Sequence, residues 1–330
     1  MRNPPLEQLD LPAVASTRAV KVFRDCEQRP FLTCNCARGD CVANTDFARR
    51  LVKCLGGFEP IPLRPQEDHS PLPRFWIAAK DFSEARAVPE HLPLALNLSF
   101  CRHHYKDVCA RLLELANERG GPLLPHFEAD DNLLSRDIDV TRQFQFLESL
   151  PNHHSITYVA PGFSMYRASQ MCPCLMSLFR QVNVGCARYM QAIGLRTVPV
   201  FANLCDDDLE FWSETLLPTA EYRLQVAVNL QTLSKSQREL EYAFKRSLSY
   251  IRRLRERSRA PHEILLFGAS SPSRINGLLG ASQGARLSFV SSQPIALARA
   301  GKDIERNKVP AIQKRDLMRA NCQAYAELFD

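Results

Sequence analysis

Four cysteines, Cys26, Cys34, Cys36 and Cys41, stand in the order C-x7-C-x-C-x4-C, with Cys54 close behind. Thiolates at that density can close a tetrahedral zinc site, and the binding energy of the metal would organise a stretch that is poor in core residues. An iron–sulfur cluster needs the same four ligands and is the second choice. The spacing is neither the paired CxxC of zinc ribbons nor the CxxxCxxC of radical enzymes, so buried free thiols are the alternative. Cys172 and Cys174 open a helical stretch and could add ligands.

A second set of chemistry-bearing residues shares a feature of position: most follow a short apolar run. After Pro122–Phe127 come Glu128 and Asp130, carboxylates suited to acid–base or nucleophilic work if apolar walls and each other's charge raise a pKa. The competing reading is a solvated loop whose acids cap the next turn. After the run ending at Gly162 come Ser164 and Tyr166, two further candidates for the catalytic set. Asn203, Asn229, Ser270, Arg274 and Ser291 end or follow other runs and form a candidate substrate- or anion-binding set. Arg274 lies in the Ser-rich turn 270–274 that opens a helix, where backbone N–H groups, hydroxyls and a guanidinium could hold phosphate. The aspartates at 206–208 read as a helix cap with first-turn acids. Arg252, Arg253, Arg255 and Arg257 crowd one helix end; they could neutralise phosphates of a nucleic acid, or be the solvated face of an outer helix.

The elements that must position these residues form a rhythm. From Arg74 onward eight apolar runs (74–79, 92–99, 122–128, 155–162, 196–203, 223–230, 263–270 and 286–292) alternate with amphipathic stretches at 105–119, 140–150, 171–193, 207–217, 234–258 and 273–283. Strands apolar on both faces are parallel strands covered by helices, and eight such units close into a (β/α)8 barrel of the TIM type. A doubly wound sheet is the alternative, disfavoured because no GxGxxG turn follows the first run. In a barrel the residues above stand at the C-terminal mouth, where chemistry is kept. Ser234 with Gln237 resembles a capping box, and Gly120, Gly121 and Gly194 mark helix ends. Residues 1–73, rich in cysteine and proline, precede the barrel at 74–330, which finishes with a C-terminal helix.

Composition agrees with one globular core: of 330 residues 45% are hydrophobic and 24% charged, with a net charge of +6 spread along the chain. That charge permits an anionic partner such as a nucleic acid or nucleobase without requiring one. No stretch approaches the roughly 18 apolar residues of a membrane helix. Pro4, Pro5, Glu7 and Asp10 break up the first residues, so no secretory signal is expected. A cytoplasmic protein with reduced thiols follows, and clustered cysteines then point to metal rather than disulfides.

The stretch 264–301, ILLFGASSPSRINGLLGASQGARLSFVSSQPIALARAG, resembles the end of the barrel in the tRNA-guanine transglycosylase superfamily, including the DNA deazaguanine transglycosylases. The likeness includes the segment Pro294-Ile295-Ala296-Leu297-Ala298-Arg299, and the Cys34–Cys36 element is similar to one in that superfamily's zinc site. The stretches YVAPGFSMYRASQ and GLRTVPVFANL also look like a family of uncharacterised barrel proteins of bacteria, phages and plasmids. The resemblance implies a barrel acting on or binding a nucleobase or nucleic acid, with a structural zinc. It places Val290 where the superfamily has an aspartate nucleophile, and Val159 where the nearest counterpart of its second aspartate would stand. The zinc ligands there follow the barrel, whereas these cysteines precede it. The alternatives are a non-catalytic nucleic-acid- or protein-binding barrel of a mobile element, or an unrelated metal-dependent barrel enzyme.

Overall fold

A computed structural model of the chain describes residues 70–98, 105–127, 146–161, 173–201, 224–229, 262–268, 272–282, 285–309 and 313–329, with the helical positions Lys245 and Ser249. Every apolar run holds a strand: β1 (Phe75–Ala79), β2 (Leu94–Asn97), β3 (Leu123–His126), β4 (Tyr158–Val159), β5 (Thr197–Val198), β6 (Leu224–Asn229), β7 (His262–Phe267) and β8 (Arg286–Ser291). Six of them form a sheet in the order β3-β2-β1-β8-β7-β6, and β4 pairs with β5. All the pairings are parallel. Single parallel bridges, Leu123 to Ile156 and Val200 to Ala227, join the β4–β5 pair to β3 and β6. Strands that are neighbours in sequence are thus neighbours in space, and the last strand lies against the first. A doubly wound sheet, whose order reverses at a switch point, does not have that arrangement.

The described helices are α1 (Phe82–Ala85), α2 (Tyr105–Glu118), α3 (Pro173–Ala192), α4 (Pro272–Ala281), α5 (Gln293–Arg299) and the C-terminal α6 (Lys314–Ala326). Their ends have local causes. Asp81 caps α1 by accepting the Glu84 N–H at 3.0 Å. Gly194, at φ +90°, takes the left-handed conformation that lets the chain leave α3 for β5. After α2, the buried guanidinium of Arg119 donates to the carbonyls of Ala85, Val88, Pro89 and Leu92 at 2.7–3.4 Å. It thereby satisfies a loop that has no strand of its own to bond to. Burial lowers the Arg119 pKa to about 10, which leaves it charged at neutral pH.

Alternation along the strands sorts the core into two layers. Phe75, Ile77, Leu94, Leu96, Leu123, Val226, Ile264, Leu266, Leu287 and Phe289 pack outward against helix residues such as Leu112, Leu115, Ile295 and Tyr325. The residues between them turn inward. Trp76, Ala95, Leu124, Val159, Val198, Ala227, Leu265 and Val290, one from each strand in turn, meet in a separate cluster that contains no helix residue. A flat sheet cannot bring all eight strands into one such cluster; a sheet curled into an α/β barrel does.

One end of this interior is sealed. Leu72, 1% exposed, belongs to the inner cluster, and its N–H donates to Glu263 Oε2 at 3.0 Å. Glu263, itself buried, also accepts from Gln225 at 2.7 Å and pairs with Arg286 at 3.4 Å. Arg286 donates to the Leu72 carbonyl, the Ser288 hydroxyl to that of Pro73, and Arg196 to that of Ser70. Residues 70–73, which proline content groups with the preceding segment, are therefore bound across the N-terminal ends of the strands.

Candidate functional site

The opposite end of the interior, where the strands finish, is lined differently. Leu124 points inward, so His126 two residues on does too, and its register partner Asn97 points inward with Ala95. On the far side Phe267 belongs to the inner cluster, with Asn229 and Val290 beside it on β6 and β8. β3 and β7 are separated by three strands, β2, β1 and β8, in the six-stranded sheet. Even so, the rings of His126 and Phe267 meet with centroids 5.0 Å apart. The two rings therefore meet inside the curled sheet and form a floor at the C-terminal ends of its strands.

His126 is only 4% exposed, and among the described residues neither ring nitrogen has a hydrogen-bond partner. Burial drives its pKa down to about 3, so the imidazole is neutral throughout the physiological range. A neutral imidazole carries one donor and one acceptor, and here both are closed off from water and from protein. Leaving a buried polar atom unmatched costs about 1–3 kcal/mol, so natural proteins rarely do so without a purpose.

The residues singled out from sequence divide as follows. Asn229 stands at this floor. Ser291 does not: its register partner Ile77 packs in the outer layer, so Ser291 faces the helices, where its hydroxyl accepts the Gln293 N–H at 3.2 Å. Arg274 lies in the first turns of α4. Glu128, Asp130, Ser164, Tyr166, Asn203 and Ser270 lie outside the described residues, as do Arg252, Arg253, Arg255, Arg257 and the cysteines Cys26, Cys34, Cys36 and Cys41. Among the described residues no group of three or more His, Cys, Asp and Glu could hold a metal ion, so the expected zinc has no counterpart there. His126 stands in the sequence among the residues that end the third run, ahead of Glu128 and Asp130, and in LLPHF counting by twos from inward Leu124 reaches it; Asn97 was not singled out.

Fold and site together define an α/β barrel sealed at one end by residues 70–73, with the polar side chains of Asn97, His126 and Asn229 among the described residues at the other. No family model and no curated protein matches the chain. Among solved structures it is similar to the YdjI aldolase of Escherichia coli K12, at 12% identity and TM-score 0.45, covering 77% of this chain and 90% of that one. It is also similar to a protein of Coccidioides immitis assigned as a fructose-1,6-biphosphate aldolase, at 12% identity and TM-score 0.43, covering 77% and 88%. A third is CutC of Streptococcus agalactiae, assigned to copper homeostasis, at 12% identity and TM-score 0.35, covering 66% and 97%. Likeness at this level does not extend to substrate or mechanism.

These findings correct the expectation of a transglycosylase-like barrel acting on or binding a nucleobase or nucleic acid, and the mobile-element reading with it. None of the three similar structures is a transglycosylase. The physical reason lies at the two acid positions: Val290 and Val159 are 4% and 3% exposed and packed in the inner apolar cluster. A carboxylate is absent there, and the apolar surroundings would suit one poorly. The likeness of 264–301 reflects a strand–helix–strand pattern that any parallel barrel repeats.

Proposed function

We propose that this chain binds a small molecule at the C-terminal mouth of its barrel, with His126 as the uncharged group that meets the ligand. The observation that carries the reading is the pair of buried ring nitrogens of His126 at the strand ends, which have no partner among the described residues. Barrels place their chemistry at that face, and the opposite one is plugged by residues 70–73 here. A neutral imidazole can polarise a carbonyl or hydroxyl without gaining charge. Glu128, two residues beyond His126 in the chain, is the assigned proton acceptor, with Asp130 two residues further on. In this reading the helices complete the eightfold strand–helix alternation.

A thermal-shift screen of sugars, hydroxy acids, amides and nucleobases tests the proposal. The expected result is a compound that raises the melting temperature of the wild type but not of His126→Leu. A compound that shifts both equally puts the site elsewhere. No shift from any class ends the small-molecule reading.

Metal binding by Cys26, Cys34, Cys36 and Cys41 is a separate proposal resting on their spacing. About one metal ion per chain in protein purified without chelators supports it, and none removes it.

A further inference from the structure

We propose that the barrel wall parts between β3 and β4, on the C-terminal side of Thr157, and that this seam is the gate through which His126 is reached. The gate names a route to the site read above. Its opening is tested without any ligand, so the two readings fall separately.

Backbone parity places the gate. Leu123 donates its N–H to the Ser155 carbonyl at 2.8 Å and accepts the Thr157 N–H at 2.9 Å, so its backbone faces β4. His126 accepts the Leu98 N–H at 2.9 Å, so its backbone faces β2. Alternation turns the backbone of Pro125 toward β4, where the next rung of a parallel ladder would run from residue 125 to the Thr157 carbonyl. Proline has no N–H to give, and its ring fills the space of the missing proton. On β4, Tyr158 and Ala160 donate to Arg196 and Val198 on the β5 side. Thr157, Val159 and Pro161 therefore face β3. Pro161 in turn cannot supply the rung to the Phe127 carbonyl.

The observed pairing follows this count. β3 keeps parallel register with β2 from Leu94–Leu123 to Asn97–His126. Toward β4 it has the bridge at Leu123–Ile156, at the N-terminal end of the strand, and no further bridge among the described residues. On the other flank the Ala227 N–H donates to the Pro199 carbonyl at 2.9 Å and the Phe201 N–H to that of Ala227 at 2.7 Å, which fastens β5 to β6 near the mouth. The β4–β5 pair is thus held at its foot by β3 and higher up by β6, and the upper β3–β4 seam is where it can swing.

His126 flanks that seam. Its ring is buried against Phe267, with neither nitrogen partnered among the described residues. Parting the seam breaks few backbone bonds and brings the imidazole within reach of polar partners, which offsets part of the cost of opening.

Residue-resolved hydrogen exchange on the full chain tests the gate. The reporter is the Thr157 N–H, bonded across the seam to Leu123. The controls are the N–H groups of Leu98, on the other edge of β3, and Tyr158, on the other edge of β4. All three residues are buried, so burial alone gives them similar protection. The expected result, corrected for intrinsic rates, is that Thr157 exchanges roughly tenfold or more faster than both controls. Pro125→Val supplies the missing donor. It should slow Thr157 selectively and slow carbethoxylation of His126 by diethyl pyrocarbonate by a similar factor. Equal protection of the three amides in the wild type overturns the inference, as does a Pro125→Val variant that slows all three alike. A His126 that reacts equally fast in both proteins, with the Thr157 amide slowed, removes the seam as its route.

Discussion

The strongest commitments of this protein are made by single side chains that a core of this kind would normally exclude. His126 sits where a leucine would pack more cheaply, because its two unmatched nitrogens are paid for in stability. Replacing it with leucine is therefore expected to stabilise the fold by about 1–3 kcal/mol in urea unfolding, while abolishing ligand response. An unchanged or lower stability would mean that the nitrogens are satisfied. Acid should act through the same residue. The unfolded-state pKa of histidine is about 6.5, whereas the folded value is about 3. Between these values the unfolded chain binds the extra proton. The contribution of His126 is thus complete above about pH 6.5 and falls by about 1.4 kcal/mol per pH unit below it. The slope should disappear in His126→Leu, and stability curves of the two proteins between pH 4 and 7 decide it. The sequence showed that polar residues crowd the ends of its apolar runs. It could not show which of them face the axis: Asn229 does, and Ser291 is turned to the helices by the parity of one strand.

Elements are joined at close quarters where the chain leaves little room. Gly121 begins the approach to β3, and a Cβ there would lie 2.6 Å from the backbone oxygen of His91 and 2.9 Å from that of Leu92. Neither obstacle is a side chain that could swing aside. Gly121→Ala is expected to cost about 2 kcal/mol or more, seen as a lower urea midpoint at unchanged slope. Gly120, with nothing within 4 Å of its Cβ position, should accept alanine without such loss. From sequence the two glycines look alike, as a helix stop. Only the packing of the 89–92 loop beneath the Arg119 guanidinium separates them. The short helices α1 and α5 left no periodic signal for the same kind of reason. Four and seven residues are too few to show a stripe, and the burial of Phe82, Ala85, Ile295 and Ala298 against the sheet holds them.

On the scale of the whole molecule, the barrel is closed by a segment that reads as a linker. Glu263 joins that plug to the strands through Leu72, Gln225 and Arg286. Removing the carboxylate in Glu263→Ala takes the acceptor from the buried Leu72 N–H and leaves the Gln225 amide with the Ser70 carbonyl alone of its two acceptors. The expected cost is about 3 kcal/mol, with faster proteolysis near Ser70 as the accompanying sign. An unaltered melting curve would mean that the plug is held by its apolar contacts alone.

The sequence by itself determined the number and order of the strands, because a strand buried on both faces must be apolar throughout and each such run stands out between polar stretches. It also determined that helices cover them, through the 3.6-residue stripes of α2, α3 and α4. The tertiary structure decided what curling the sheet brings together. It set His126 against Phe267 from strands separated by three others in the sheet, put residues 70–73 across the far end, and buried Val159 and Val290 at the places where the resembled superfamily carries its aspartates. Those contacts link residues as much as 215 positions apart. They depend on the register and inward parity of every intervening strand, which no local pattern of residues encodes.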